Sequence, residues 1–136
     1  MSIFSSIDIG RTGVGFAHHW MDVIAHNMAN LNTVRAGDQE PFRARLLVAR
    51  ERGADLALDG SGVRAGGVVE DASDPARVTD PGHPLADADG TVVMPVVDLA
   101  GQMTDLLIAN RTYQANLKAI STGQEAYQAA LRIGQR

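Results

Sequence analysis

The sequence predicts an α+β fold, in which long N- and C-terminal helices pair in a coiled-coil-like hairpin with a small β-rich module between them. Near both ends of the chain, apolar residues recur at alternating steps of four and three, as in coiled coils. The middle holds all 5 prolines and most of the glycines, without helical periodicity. We therefore predict an N-terminal helix in residues 1–33, a β-rich module in residues 34–97 and a C-terminal helix in residues 98–136.

The C-terminal segment carries two apolar faces. Its heptad seam consists of Leu99, Met103, Leu106, Asn110, Tyr113, Leu117, Ile120, Gln124, Tyr127 and Leu131. A second stripe at helical spacing consists of Ile108, Ala115, Ala119, Ala126, Ala130 and Ile133. One partner helix cannot cover both faces, and a helix of this length is roughly 50 Å long. We therefore expect this segment to be an assembly element.

Two amides interrupt the seam at positions where leucine would be more stabilising, Asn110 and Gln124. They are either tolerated heterogeneity or buried amides that set register and select partners at some cost in stability. The sequence leaves both interpretations open.

The N-terminal segment repeats the heptad pattern with Ile3, Ile7, Gly10, Val14, Ala17, Met21, Ile24, Met28 and Leu31. Gly10, Gly13 and Gly15 each weaken a helix by about 1 kcal/mol relative to alanine. No strand precedes them and no phosphate-binding lysine follows, which argues against a nucleotide-binding loop. They indicate close helix packing or conditional order. We expect this helix to be frayed or disordered in the free subunit and to fold against neighbours.

The N-terminal helix should end within the asparagine-rich residues 27–33, because asparagine tolerates left-handed backbone and bonds to the nearby main chain. At the other end of the module, Pro95 should end the last strand. Asp98 is then well placed to cap the C-terminal helix.

Between the helices, residues 42–48, 62–70 and 91–97 read as three short strands. Asp59-Gly60 and Asp89-Gly90 supply turn chemistry. Asp74-Pro75 and the proline-rich residues 80–84 mark an extended loop in which the prolines forbid regular pairing. Such a module has too small a core for much independent stability, so we expect contacts with the helices to stabilise it.

Composition excludes several partners. The formal net charge is -4, and the arginines between residues 43 and 52 alternate with other residues and are flanked by glutamates, so no basic face for nucleic acid is expected. The absence of cysteine excludes disulfides and thiol chemistry. No apolar run approaches the about 20 residues of a membrane-spanning helix. Residues 1–8 lack the pattern of a cleavable secretory signal, so we expect the chain to stay in the cytoplasm or to leave by another route.

No catalytic, cofactor-binding or metal residues are predicted. Nucleophile-elbow and cofactor patterns are absent from the sequence. His18, Asp22 and His26 share one helix face, but histidines two turns apart are too distant for one zinc ion.

A second acidic group gives the alternative function, a metal- or ligand-binding adaptor that uses the loop 80–89. The loop contains Asp80, His83, Asp87 and Asp89. It lacks the third acidic or amide position and the closing glutamate of a calcium loop, so a solvent-exposed turn is favoured.

Three stretches together resemble the flagellar basal-body rod proteins. Residues 21–33 are similar to the asparagine-rich motif of the family, with Asn27, Asn30, Asn32 and Thr33. Residues 80–84, followed by 87–90 and 92–95, are similar to a segment of the short proximal-rod subunits, with His83 and Pro84. Residues 97–121 are similar to the C-terminal rod and hook motif, with Asn110, Arg111, Tyr113 and Asn116.

The resemblance implies a structural subunit of the bacterial flagellar rod, a helical tube that crosses the periplasm and transmits torque. Its expected partners are other copies of itself, other rod subunits, the flagellar type III export apparatus and the basal-body base. Export would proceed without a cleavable signal peptide. We expect the assembly interface to comprise the ten seam residues of the C-terminal segment together with Ile7, Val14, Met21, Ile24, Met28 and Leu31.

Overall fold

A computed structural model of the protein describes residues 3–36, 39–53 and 62–134. Two long helices flank a small β module, so the predicted α+β architecture is confirmed. The elements in chain order are α1 (Ile3–Ala29), β1 (Arg45–Glu51), β2 (Val63–Glu70), β3 (Ala76–Thr79), β4 (Thr91–Met94) and α2 (Leu99–Ile133). Within the described ranges, no helix combines the length and apolarity that crossing a bilayer requires.

The two helices pack antiparallel as a hairpin. At its open end, the ring of Phe4 lies edge-on to that of Tyr127, with centroids 5.2 Å apart. At its other end, the Asn27 side chain reaches Gln102. Because α2 has 35 residues and α1 has 27, the last turns of α2 extend past the start of α1.

Glycines permit the close approach of the helices. A Cβ atom added at Gly13 would lie 2.6 Å from Oδ1 of Asn116, and one at Gly10 would lie 2.9 Å from Cγ1 of Ile120. Gly15, in contrast, has nothing within 4 Å of such an atom. Close helix packing is therefore confirmed for the first two glycines, whereas disorder of α1 in the free subunit stays a prediction.

The β module consists of two separate antiparallel ribbons, β1–β2 and β3–β4. In β1–β2, pairing runs from Arg45 opposite Glu70, with a bulge between Val48 and Ala49. The Thr12 hydroxyl ties this ribbon to α1, because it accepts a hydrogen bond from the Val63 N–H at 3.0 Å. The first strand begins at Arg45, three residues later than predicted.

The prediction of an unpaired loop from residue 74 to residue 84 was wrong. β3 lies inside it and pairs with β4, from Ala76 opposite Met94 to Thr79 opposite Thr91. A proline removes only its own N–H donor, and Pro75 and Pro81 both fall outside the four-residue strand. The described part of the module therefore has four strands rather than three.

The predicted end of α1 and the strand end before Pro95 are confirmed, whereas the strand predicted over residues 91–97 is three residues shorter. α1 ends inside the asparagine-rich segment, and β4 ends at Met94, immediately before Pro95. Asp98 caps α2 by accepting a hydrogen bond from the Ala100 N–H at 3.1 Å. The turn at Asp89-Gly90 is formed with Gly90 at φ 69°, while Asp59-Gly60 lies outside the described residues.

The core is small, and its members come from α1, α2, β4 and the residues beside β1 and β4. Among the described residues, its buried members are Ala17, Val23, Ile24, Asn27, Ala44, Val92, Val93, Pro95 and Ala109, with Gly10 buried further along the hairpin. Most of α2 therefore lies outside any core.

Candidate assembly interface

Asn27 holds three elements together. Its side chain is fully buried, and its Nδ2 donates to the Arg45 carbonyl at 2.8 Å and to Oε1 of Gln102 at 2.9 Å. Its Oδ1 accepts from the Arg45 N–H at 2.8 Å. A buried amide is tolerated because its hydrogen-bonding groups are satisfied. Asn27 thereby fixes α1, β1 and α2 at one point, a role that its sequence motif did not indicate.

The other polar motif residues shape local backbone. Asn30 donates from Nδ2 to the His26 carbonyl at 2.8 Å, and its Oδ1 accepts from the Thr33 hydroxyl at 3.3 Å. Asn32 is exposed. His83 Nδ1 accepts from the Leu85 N–H at 3.1 Å. These contacts stop the helix and form the turn, as expected for short polar side chains beside free backbone groups.

The residues of the predicted C-terminal seam form two alternating rows along α2, and the hairpin buries one of them against α1. Leu106, Tyr113 and Ile120 are half-buried on the side of α2 that meets α1, and Tyr127 contacts Phe4. The row that alternates with them was predicted to contain Met103, Asn110, Leu117 and Gln124. In the structure, the row that meets α1 lies one residue earlier and consists of Gln102, Ala109, Asn116 and Gly123. Its members are small or polar, so they fit against the glycines of α1, whereas larger side chains there would hold the helices apart.

The second predicted row therefore lies on the exposed side. Of its members, Met103, Asn110, Leu117, Gln124 and Leu131 are all exposed, as is Leu99 at the start of α2. In α1, Ile24 is buried and Ile7, Val14, Met21 and Met28 are half-buried, as is Leu31 just beyond the end of α1. The structure thus covers the predicted N-terminal set at least in part, together with four of the ten seam residues of α2.

We define the outer face of α2 as its surface turned away from α1. A charged row runs along it, consisting of Arg111, Lys118, Glu125 and Arg132. Leu107, which is 66% exposed, and Leu117, which is 43% exposed, lie on one side of this row, and the predicted second stripe lies on the other. All six members of the predicted second stripe, from Ile108 to Ile133, are also exposed. Two apolar flanks on one helix exceed what scattered surface residues explain.

The two amides of the predicted seam lie outside the hairpin, whereas two other amides of α2 lie inside it. Asn110 and Gln124 are exposed, and Oδ1 of Asn110 accepts from Nε2 of Gln114 at 2.7 Å. Inside the hairpin, Asn116 donates to the Thr112 carbonyl at 2.8 Å and faces Gly13. Gln102 is bonded to Asn27 across the hairpin, whereas Asn116 packs against Gly13 and bonds within α2. Asn110 and Gln124 do not contribute to the hairpin, so both interpretations of them, tolerated amides or amides that select partners, concern contacts with other subunits.

In the acidic loop, residues 80–89, the side chain of Asp87 hydrogen-bonds to the backbone and stabilises a turn. Oδ1 of Asp87 accepts from the Thr91 N–H at 2.7 Å and from the Asp89 N–H at 3.0 Å. On α1, His18 contacts Asp22 at 3.2 Å in an exposed pair. Across the residues that the structure describes, no group of three or more His, Asp or Glu side chains is arranged to hold a metal ion. The geometry gives no support to the adaptor alternative.

One carboxylate has a perturbed pKa. The backbone N–H of Ser73 donates to Oδ1 of Asp71 at 3.0 Å, and the Ser73 hydroxyl donates to it at 2.9 Å. These two hydrogen bonds lower the pKa of Asp71, and the nearby Arg43 lowers it further. They favour the ionised form, which accepts hydrogen bonds better than the neutral acid.

A known protein family matches the segment of the chain that contains the exposed helix α2. Residues 89–133, which include β4 and α2, match the family described as flagellar basal body rod FlgEFG protein C-terminal. The whole chain is 35% identical over 135 residues to the flagellar basal-body rod protein FlgC of Yersinia enterocolitica, covering 99% of this chain and 100% of that one. The chain belongs to the FlgC family of flagellar basal-body rod proteins.

Other FlgC proteins match over similar lengths. Identity is 34% over 135 residues with FlgC of Salmonella typhimurium and 31% over 150 residues with FlgC of Bacillus subtilis. Both matches cover 99% of this chain and 100% of the relative. The resemblance predicted from the motifs is therefore confirmed. FlgC is a family of structural rod proteins and not of enzymes.

Proposed function

We propose that this chain is a structural subunit of the flagellar basal-body rod. Its terminal helices pair within the subunit, and the outer face of α2 packs against neighbouring subunits in a helical tube that transmits torque. The outer face carries this proposal, because it leaves two apolar flanks uncovered on a helix of 35 residues. FlgC relatives that match across their full length support the same assignment.

Burial supplies the driving force for such assembly. Covering a large aliphatic side chain contributes about 1.5 to 3 kcal/mol relative to full exposure. The side chains on the outer face are exposed only in part, so each would contribute a fraction of that amount. Repeated along α2, these fractions offset the entropy that association costs. Contacts between different patches on successive copies then extend as a helix instead of closing.

The proposal includes a set of partners. They are other copies of this chain, other rod subunits, the basal-body base and the flagellar export apparatus. The small core supports passage through an export channel in unfolded form, because few buried contacts must be broken first.

Leu117→Asp tests the outer face. Leu117 is 43% exposed and lies outside the row that faces α1, so the hairpin should fold with a charge there. The charge would meet apolar surface of a neighbouring subunit, and an unpaired charge is costly to bury. We expect the variant to be absent from isolated basal bodies and cells that carry only this variant to be non-motile.

Val78→Asp is the matched control, because Val78 is similarly exposed, at 41%, but lies on β3 rather than on α2. We expect it to enter the rod. Circular dichroism of both purified variants should show the helicity of the original chain. Normal motility and normal rod incorporation of the Leu117→Asp chain would contradict the proposal.

A further inference from the structure

An apolar groove opens beside the core, between α1, β1 and the first turns of α2, and has a volume of about 270 Å³. Phe16 and Trp20 form its α1 wall, with ring centroids 6.5 Å apart. Leu46, which is 52% exposed, lines the β1 side. An apolar cavity of roughly 150 Å³ can hold a benzene ring, so this groove has room for a branched aliphatic side chain.

The α2 side of the groove adds a negative charge. Asp105 lines it, is half-buried, and forms no ion pair within the part of the chain that the structure describes. Arg45 also lines the groove, but its guanidinium pairs with Glu70 at 3.8 Å, so among the described residues Asp105 is the charge in the groove without a partner. A half-buried carboxylate gains more from a cationic partner than an exposed one does. The groove therefore fits an aliphatic anchor with a cation beside it.

The far end of α2 carries such an anchor. Ile133 is 78% exposed, and Arg132 beside it forms no ion pair with any described residue. Ala126, Ala129 and Ala130 share the helix side of Ile133 and are exposed. Their small side chains let another surface approach the helix closely. We call residues 126–134 the tip of α2.

We propose that the tip of α2 in one copy of the chain docks into the groove of a second copy. Ile133 fills the space beside Phe16 and Trp20, and Arg132 pairs with Asp105. Asp105 and Ile133 are about 42 Å apart along the same helix at roughly 1.5 Å per residue, so a tip cannot reach its own groove.

This contact rests on the proposed function and specifies how successive copies are oriented relative to one another. It joins opposite ends of successive copies, head to tail. A head-to-tail contact whose rotation does not close produces an open filament, which is the symmetry that a tube requires.

Photo-crosslinking tests the contact in assembled basal bodies. A photoreactive phenylalanine analogue replaces Leu46, and mass spectrometry identifies the peptide that it joins after illumination. We expect a peptide from residues 126–134, which must come from another copy because of the distance along α2. The same analogue at Val78, an exposed residue of β3, is the control and should not label the tip.

A link from position 46 only to a different rod subunit would overturn the proposal, since another occupant then fills the groove. Failure to label any tip in basal bodies that contain the chain would also overturn it, while leaving the proposed function intact. If the chain is missing from basal bodies altogether, the proposed function fails together with this contact.

A charge exchange provides a second test. Asp105→Arg and Arg132→Asp should each lower the yield of the crosslink at least about tenfold, because each places like charges together. The double variant should recover most of the yield. Arg132 is exposed, so its variant tests the pairing even if the Asp105 variant folds poorly. No loss in the Arg132→Asp variant would contradict the pairing.

Discussion

Asn27 and Arg45 are joined by two hydrogen bonds that resemble the pairing of adjacent strands. Oδ1 of Asn27 accepts from the Arg45 N–H, and Nδ2 of Asn27 donates to the Arg45 carbonyl, both at 2.8 Å. A side-chain amide on α1 thus takes the place of a neighbouring strand at the first residue of β1. The same Nδ2 reaches Gln102, so the junction also fixes the start of α2.

Replacing Asn27 should therefore loosen the whole junction. Asn27→Ala leaves the Arg45 backbone groups and the Gln102 amide without their Asn27 partners, and we expect it to lower the free energy of unfolding by about 3 kcal/mol. Urea denaturation measures the loss. Asn32→Ala in the exposed part of the same motif is the control, with an expected change under about 0.5 kcal/mol. Equal effects of the two substitutions would contradict the role assigned to Asn27.

Two neighbouring glycines of α1 should respond in opposite directions to alanine. Gly15→Ala meets open space and removes the flexibility of glycine, so it should stabilise the protein by about 0.5 to 1 kcal/mol. Gly13→Ala forces the Asn116 amide away and breaks its bond to the Thr112 carbonyl, so we expect net destabilisation. Thermal unfolding of both variants makes the comparison. A stabilising Gly13→Ala would show that the helices do not need this close approach.

The Asp71 turn should weaken at low pH. Because hydrogen bonds from Ser73 hold the pKa of Asp71 below the ordinary aspartate value, the turn is fully stabilised above that value. The contribution is lost as the pH falls through the lowered pKa of the folded state. Ser73→Ala removes the hydroxyl donor and should move the pKa part of the way back. An NMR titration of the Asp71 carboxyl checks both expectations, and an ordinary pKa in the original chain would refute them.

The free subunit should lose α1 first to proteases. α1 packs on α2 in the hairpin, but Gly10, Gly13 and Gly15 lower its intrinsic helicity by about 1 kcal/mol each relative to alanine. Limited proteolysis of the purified chain should trim residues 1–30 before the core is cut. The Gly15→Ala variant should be trimmed more slowly. Uniform resistance along the chain would contradict conditional order of α1.

The sequence predicted the helices well because period and length identify them independently of tertiary structure. The row that contains Leu106, Tyr113 and Ile120 was placed correctly toward the hairpin. Its companion row was predicted one residue too late, because a heptad pattern is read from large apolar residues. Here the true contact row contains Ala109 and Gly123, whose small size is what allows the helices to approach.

Contacts distant in sequence explain the remaining differences. Asn27 bonds to partners 18 and 75 residues away, and no local pattern announces such a junction. β3 has only 4 residues between two prolines, too few for an alternation to be recognised, and it forms because β4 is available to pair with it. In contrast, the cap at Asp98 and the strand end before Pro95 depend on neighbouring atoms and were predicted correctly.

Cysteine accessibility before and after assembly tests the central claim most directly. The chain contains no cysteine, so Leu117→Cys introduces a single thiol on the outer face of α2. We predict that a maleimide labels this thiol readily in the free subunit and fails to label it in isolated basal bodies. Equal labelling in both states would show that the outer face stays uncovered in the rod and would contradict the account.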